Sequence, residues 1–178
     1  MYKSIIRPIL FKFNPETAHQ FTLNSLKELG KIPFVRSIIR LIYKREHPAL
    51  AKEVFGIKFP NPVGLAGGLD KNGECYNELS DFGFGFVEIG SLTVKPQPGN
   101  PKPRLFRVIK DRAIINRMGI NNKGIANAIA NLNKEHPEVI IAGNIAPNSA
   151  SQGEQVAEDY KAAFSLLYDF VDMFVVNI

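Results

Sequence analysis

The chain has 178 residues, 45% hydrophobic and 22% charged, with a formal net charge of +5; this composition fits a folded domain of ordinary size and excludes compositional disorder. Its one cysteine, Cys75, excludes an internal disulfide and a multi-cysteine zinc centre, so no metal is expected and any redox chemistry must come from a bound cofactor. No stretch reaches the ~18 apolar residues of a membrane span, and the N-terminus lacks the features of a secretory signal, so the chain is expected to begin near Met1 and stay on the cytoplasmic side.

Residues 1–45 carry nine Lys and Arg against Glu16 and Glu28, whereas the remainder has a small excess of acid. This asymmetry predicts a basic segment over 1–45 and a second unit over 46–178. Ile5, Ile6, Ile9, Leu10, Phe11 and Phe13 crowd the start, and after Asn14-Pro15, a good helix start, Ala18, Phe21, Thr22, Leu26 and Leu29 recur near helical spacing. Two short amphipathic helices are expected there, and a third over Val35 to Tyr43, where Ile38, Ile39, Leu41 and Ile42 mix with Arg36 and Arg40. Such faces suit a membrane interface or packing on the main domain with a solvated basic rim. No zinc-finger spacing or aromatic RNA-binding motif accompanies the charge, so no nucleic-acid partner is expected.

From residue 54 short apolar runs alternate with helix-like stretches. The pattern predicts strands at Val54 to Phe59 and Pro62 to Gly67, a helix at Gly73 to Phe82 and a strand at Gly85 to Gly90. After a Pro/Gly-rich loop at Val94 to Pro103 it predicts a hairpin at Arg104 to Ile115 and a helix at Asn122 to Glu135. A strand at Val139 to Asn144, a helix at Glu154 to Phe170 and a strand at Met173 to Ile178 follow. Strands separated by helices imply parallel βαβ units. Polar residues gather after the strands, where a barrel builds its active site, and no G-x-G-x-x-G or Walker sequence follows any strand. The expected fold is α/β, the N-terminal half of a (β/α)8 TIM barrel preceded by a small helical membrane-associating segment. A whole barrel needs about 250 residues, and half of one leaves parallel edge strands unpaired, so the chain is expected to be a fragment or to need a partner.

Gly67-Gly68 would let a flat ligand press on the backbone, and Lys71 supplies a cation for an anionic group, although glycines after a strand also simply make turns. Asn116 to Asn122 concentrates amides and the Arg117 guanidinium, suited to planar imide and carboxylate edges or to capping a helix. Asn144 and Asn177 end apolar strands, where they either converge on one ligand or cap the following loop. His19 and Arg107 read equally as packing or surface residues.

In order and spacing, four stretches resemble the quinone-linked dihydroorotate dehydrogenase family: Asn61 to Glu74, Gly83 to Ser91, Pro96 to Arg107 and Ile115 to Asn122. The likeness extends to the N-terminal helices with Asn14-Pro15-Glu16-Thr17-Ala18-His19. It implies oxidation of dihydroorotate to orotate in pyrimidine synthesis, with FMN as cofactor, a membrane quinone as electron acceptor, and peripheral association with the cytoplasmic face of a bacterial inner membrane. By position it implies flavin contacts at Gly67, Gly68, Leu69, Asp70, Lys71, Ser91, Asn144 and Asn177. Substrate contacts would be Lys71, Asn116, Arg117, Met118, Gly119, Ile120 and Asn177, with His19 and Arg107 near the quinone tunnel. The catalytic serine base of this class is expected beyond Ile178, which leaves the chain inactive alone. The family's Ile-Gly-Lys-Asn is replaced by Ile145-Ala146-Pro147-Asn148, which alters the loop beside the expected flavin. Two alternatives are a non-catalytic membrane-binding fragment and the soluble class with a cysteine base, for which Cys75 sits in the wrong loop.

Overall fold

In a computed structural model, residues 2–132 and 139–178 are described. The basic segment is helical: a π-helical turn at Tyr2–Ile6 runs into α1 (Arg7–Leu10), followed by α2 (Pro15–Gly30) and α3 (Pro33–Tyr43). Helix α2 starts where the sequence predicts, because the Asn14 side chain accepts from Glu16 N at 2.9 Å and Pro15 occupies the first turn, where no N–H is needed. Pro33 starts α3 in the same way.

The strand predicted over Val54 to Phe59 is instead a hairpin, β1 (Lys52–Val54) paired antiparallel with β2 (Ile57–Phe59). Phe55 and Gly56 turn it with positive φ at both positions, 52° and 80°, the twist a two-residue hairpin turn requires. Strand β3 (Gly64–Asp70) begins after Pro62 rather than at it. The helix predicted from Gly73 is cut to α4 (Tyr76–Ser80), because Gly73 at φ 63° and Cys75 at φ −140° are not helical; the buried Asp70 carboxylate accepts from the N–H groups of Asn72, Glu74 and Cys75 within this turn. Strand β4 (Phe86–Leu92), the hairpin β5 (Leu105–Val108) and β6 (Ala113–Asn116), α5 (Ile125–Leu132), β7 (Ile140–Ile145), α6 (Glu154–Leu167) and β8 (Met173–Val176) follow the predicted order. The predicted end of the α5 helix, Glu135, lies outside the described residues.

Strands β3, β4, β7 and β8 form one parallel sheet in that order, while β1–β2 and β5–β6 are separate two-stranded ribbons. The four stand side by side in chain order, with the β5–β6 ribbon inserted between β4 and β7, the arrangement of the first four strands of a barrel. One core joins sheet and helices: Val87, Ile89 and Leu92 of β4 and Ile141 and Ile145 of β7 pack with Leu132 and Leu167, all fully buried or nearly so. Apolar burial of this kind supplies most of the favourable energy of folding. The register slips between Leu65 and Asp70 of β3 and between Ile89 and Leu92 of β4. Both irregularities lie at the carboxyl ends of the strands, where departures from regular pairing re-aim side chains.

The helical segment is fastened at several points. His19 Nε2 donates to the Leu69 carbonyl at 2.8 Å, a direction fixed because a carbonyl only accepts. Glu16 receives Arg104 through two nitrogens at 2.7 and 3.2 Å, and Arg104 also donates to the carbonyls of Pro98 and Asn100. On α3, Arg36 and Arg40 each pair with the buried Asp81 carboxylate, at 2.6 and 2.5 Å.

Candidate functional site

An open cleft of about 860 Å³ lies at the carboxyl ends of the parallel strands, between them and the helical segment. It gathers Gly67, Gly68, Leu69, Lys71, Ser91, Asn144 and Asn177 from the strand ends, and Asn116, Met118, Gly119 and Ile120 from the segment after β6. His19 and Arg107 also line it. Residues more than a hundred positions apart in sequence therefore face one space.

Two of the expected residues do not line this cleft. Asp70 is buried with its carboxylate turned onto the three N–H groups named above, and it borders only a smaller adjoining cavity of about 70 Å³. Burial raises its pKa above the ordinary carboxylate range, partly offset by those backbone N–H groups. Arg117 points elsewhere: its Nη2 donates to the Pro103 carbonyl at 2.9 Å, which braces the Pro-rich loop.

The floor of the cleft is backbone. A Cβ on Gly67 would collide with Glu88 Oε1, and Gly68 has φ +95°, so both positions favour glycine and leave a flat surface. Beside them Lys71 Nζ has no hydrogen-bond or ion-pair partner among the described residues. Its pKa is lowered, first by burial and then by the charge of Arg104, while Glu16 partly opposes the shift. A desolvated ammonium without a partner is destabilising until an anion or acceptor reaches it.

The amides are oriented from behind. Asn144 Nδ2 donates to Glu88 Oε1 at 2.6 Å, and its buried Oδ1 has no partner among the described residues. Asn177 Nδ2 donates to Ser91 Oγ at 2.7 Å, while the Asn177 carbonyl accepts from the Tyr160 hydroxyl. A flat group with several hydrogen-bonding edges and an anionic portion fits this floor, these amides and Lys71.

The outer part of the cleft is apolar. Leu10, Phe11, Pro15 and Ala18 of the helical segment face Leu105 and Ile114 of the ribbon. Arg107 holds the two walls together, donating to the carbonyls of Phe13 at 2.7 Å and Leu10 at 3.3 Å, with its guanidinium 4.5 Å from the centre of the Phe11 ring.

Asn121 belongs to the amide-rich stretch the sequence singled out but not to the contacts the resemblance assigned; it lines the cleft, and its buried Oδ1 has no partner among the described residues, whereas sequence reasoning missed the Glu16–Arg104 pair. No periodic or motif signal links residues 88 positions apart. The substituted loop after β7 is well anchored: Ala146 is fully buried with its N–H on the Leu92 carbonyl at 2.9 Å. Asn148 bonds both the N–H and the carbonyl of Lys95. Cys75 lies outside the cleft, and burial pushes its thiol well above the ordinary range, which suits packing and not base chemistry.

The dihydroorotate dehydrogenase family model matches residues 49–178. The dihydroorotate dehydrogenase (quinone) of Christiangramia forsetii is 53% identical over 178 residues, all of this chain and 52% of that protein. That of Cellvibrio japonicus is 44% identical over 175 residues, 98% of this chain and 50% of that protein. The chain thus spans about half the length of these curated relatives. A crystal structure of the Eimeria tenella dihydroorotate dehydrogenase in complex with ferulenol superposes with a TM-score of 0.77 at 34% identity, covering 92% of this chain and 43% of that one.

Proposed function

The chain belongs to the dihydroorotate dehydrogenase family, and from that premise we propose that it forms the first half of a quinone-reducing enzyme that oxidises dihydroorotate to orotate. The observation that carries this reading is the Lys71 ammonium, without a partner among the described residues, at the edge of a bare glycine floor ringed by oriented amides. FMN, when bound there, would accept hydride from dihydroorotate and pass the electrons to a quinone.

The chain's own residues divide the remaining work. Gly67 and Gly68 offer flat backbone to the flavin, with Leu69, Ser91, Asn144 and Asn177 at its edges. Lys71 and Asn116 pair with the carboxylate and imide edges of dihydroorotate, and Met118, Gly119 and Ile120 wall the substrate in and exclude water. Asp70 and Arg117 act indirectly, Asp70 by holding the turn that carries Lys71 and Arg117 by bracing the loop beside the substrate segment. Ser91 Oγ is engaged by Asn177, so we assign abstraction of the one proton that leaves alongside the hydride to the part of the relatives' length that this chain does not span.

The apolar outer cleft between residues 1–45 and the β5–β6 ribbon is the proposed path of the quinone, with His19 and Arg107 fixing its walls. No helix among the described residues is long and apolar enough to cross a membrane. The basic amphipathic helices would instead lie on the cytoplasmic face of a bacterial inner membrane, as peripheral anchors drawn to anionic lipid.

Complementation tests this reading. The purified chain alone should bind FMN weakly and should not turn over dihydroorotate. Mixed with the separately produced C-terminal half of the Christiangramia forsetii relative, it should hold yellow flavin that bleaches anaerobically on adding dihydroorotate. A complex that holds flavin yet stays yellow would overturn the proposal.

A further inference from the structure

The β5–β6 hairpin stands apart from the parallel sheet as its own ribbon, and β6 is exposed at all four positions. An isolated two-stranded ribbon is marginal in water unless something covers a face. The cross-strand pairing sorts its side chains. Leu105 and Arg107 pair with Asn116 and Ile114 on the face that lines the cleft. Phe106 pairs with Ile115 on the opposite face, and Ile109 begins the turn beyond. Ile109 and Ile115 are 61% and 59% exposed, and the turn between the strands also carries Lys110 and Arg112 with Asp111.

Arg107 fixes where this ribbon lies. Its bonds to the carbonyls of Leu10 and Phe13 hold β5 against the end of α1. Ile9 and Phe13 in that region are each 53% exposed. Lys3, Arg7 and Lys12 add positive charge to the same stretch. The ribbon thereby stands beside an amphipathic, basic stretch, and its own exposed apolar side chains next to Lys110 and Arg112 repeat that chemistry; both apolar burial and attraction to anionic headgroups favour one occupant, a lipid surface.

We propose that the β5–β6 hairpin is a second bilayer contact, inserting Ile109 and Ile115 at the headgroup boundary with Lys110 and Arg112 on lipid phosphates. This rests on the membrane reading of residues 1–45. The ribbon then forms one lip of the cleft, its outer face in lipid and its inner face toward the apolar path.

The chain contains no tryptophan, so Ile109→Trp and, separately, Ile9→Trp each introduce a single tryptophan at an exposed position, excited at the red edge of its absorption to leave the tyrosines dark. With vesicles of phosphatidylcholine and phosphatidylglycerol, both should shift to the blue, and both should be quenched by lipid with brominated chains. Ile109→Asn combined with Ile115→Asn should lower vesicle partitioning about tenfold, with an unchanged circular dichroism spectrum. Quenching at Ile9→Trp without quenching at Ile109→Trp would overturn the hairpin contact and leave the helical anchor standing. Quenching at neither would overturn both. A blue shift of Ile109→Trp without vesicles, growing with protein concentration, would mean that a second copy covers the ribbon and would also overturn the proposal.

Discussion

Lys71 concentrates the conflict between stability and binding in one side chain. Its folded pKa is lowered by burial, below an unfolded value near about 10.4. The unfolded chain therefore binds more protons between those two values, and stability rises with pH across that window. Lys71→Met should flatten this rise and increase stability at neutral pH by about 1 kcal/mol, or about 2–4 °C in Tm, while abolishing orotate binding to the complemented enzyme. Calorimetric melts over pH and an orotate titration would check both. Glu16 has a lowered pKa too, so its slope has the same sign, but here the charged form is the stabilised one. Its pKa is lowered chiefly by its hydrogen bond from Arg104 and also by Lys102, against the cost of burial. The stability it contributes is present above its unfolded pKa and is lost as pH falls below the ordinary carboxylate range through its folded value. Glu16→Gln should remove that acid-side loss from a pH series of urea melts and lower stability at pH 7. Lys71 was legible in sequence because a cation after Gly67-Gly68 at a strand end has few packing uses. Asp70 next to it was not, since nothing in the order of residues tells which polar side chain turns outward and which turns back onto the loop.

At the scale of elements, the helices rest on ionic and hydrogen-bonded fasteners more than on a shared core. Helix α3 has no buried residue and is docked by Arg36 and Arg40 on Asp81. Asp81→Ala should cost about 2 kcal/mol, less than a fully buried pair because both guanidinium groups keep access to water. It should also open residues 44–51 to limited proteolysis, and urea melts with mass-mapped cleavage would show both effects. The strands and helices of the sheet were readable because each alternates apolar runs with caps and turns of ordinary chemistry. The β1–β2 hairpin was not, because its turn is Phe55-Gly56, and a phenylalanine at φ 52° carries none of the Asn or Asp signal that marks such turns. The shortened α4 has a similar origin: helical spacing continues through Gly73, but Gly73 turns with φ 63° and the N–H groups of Glu74 and Cys75 bond Asp70 in that turn.

Across the whole molecule, β3 and β8 each have one neighbour in the parallel sheet among the described residues. Beside β8, Tyr160, Phe164 and Val176 border an apolar recess of about 520 Å³. Open parallel edges of this kind template association with other chains. The purified chain should therefore self-associate with rising concentration, and Val176→Lys, at a position already exposed, should suppress this in sedimentation velocity runs. The order of strands in the sheet has a further consequence for synthesis. At about 5–20 residues per second, a ribosome releases β3, β4, β7 and β8 in the sequence in which they stand side by side. Each strand after β3 emerges to find its neighbour already made, so the sheet can grow at one edge, while the docking of the N-terminal helices waits on Asp81, Arg104 and Arg107, all synthesised after them.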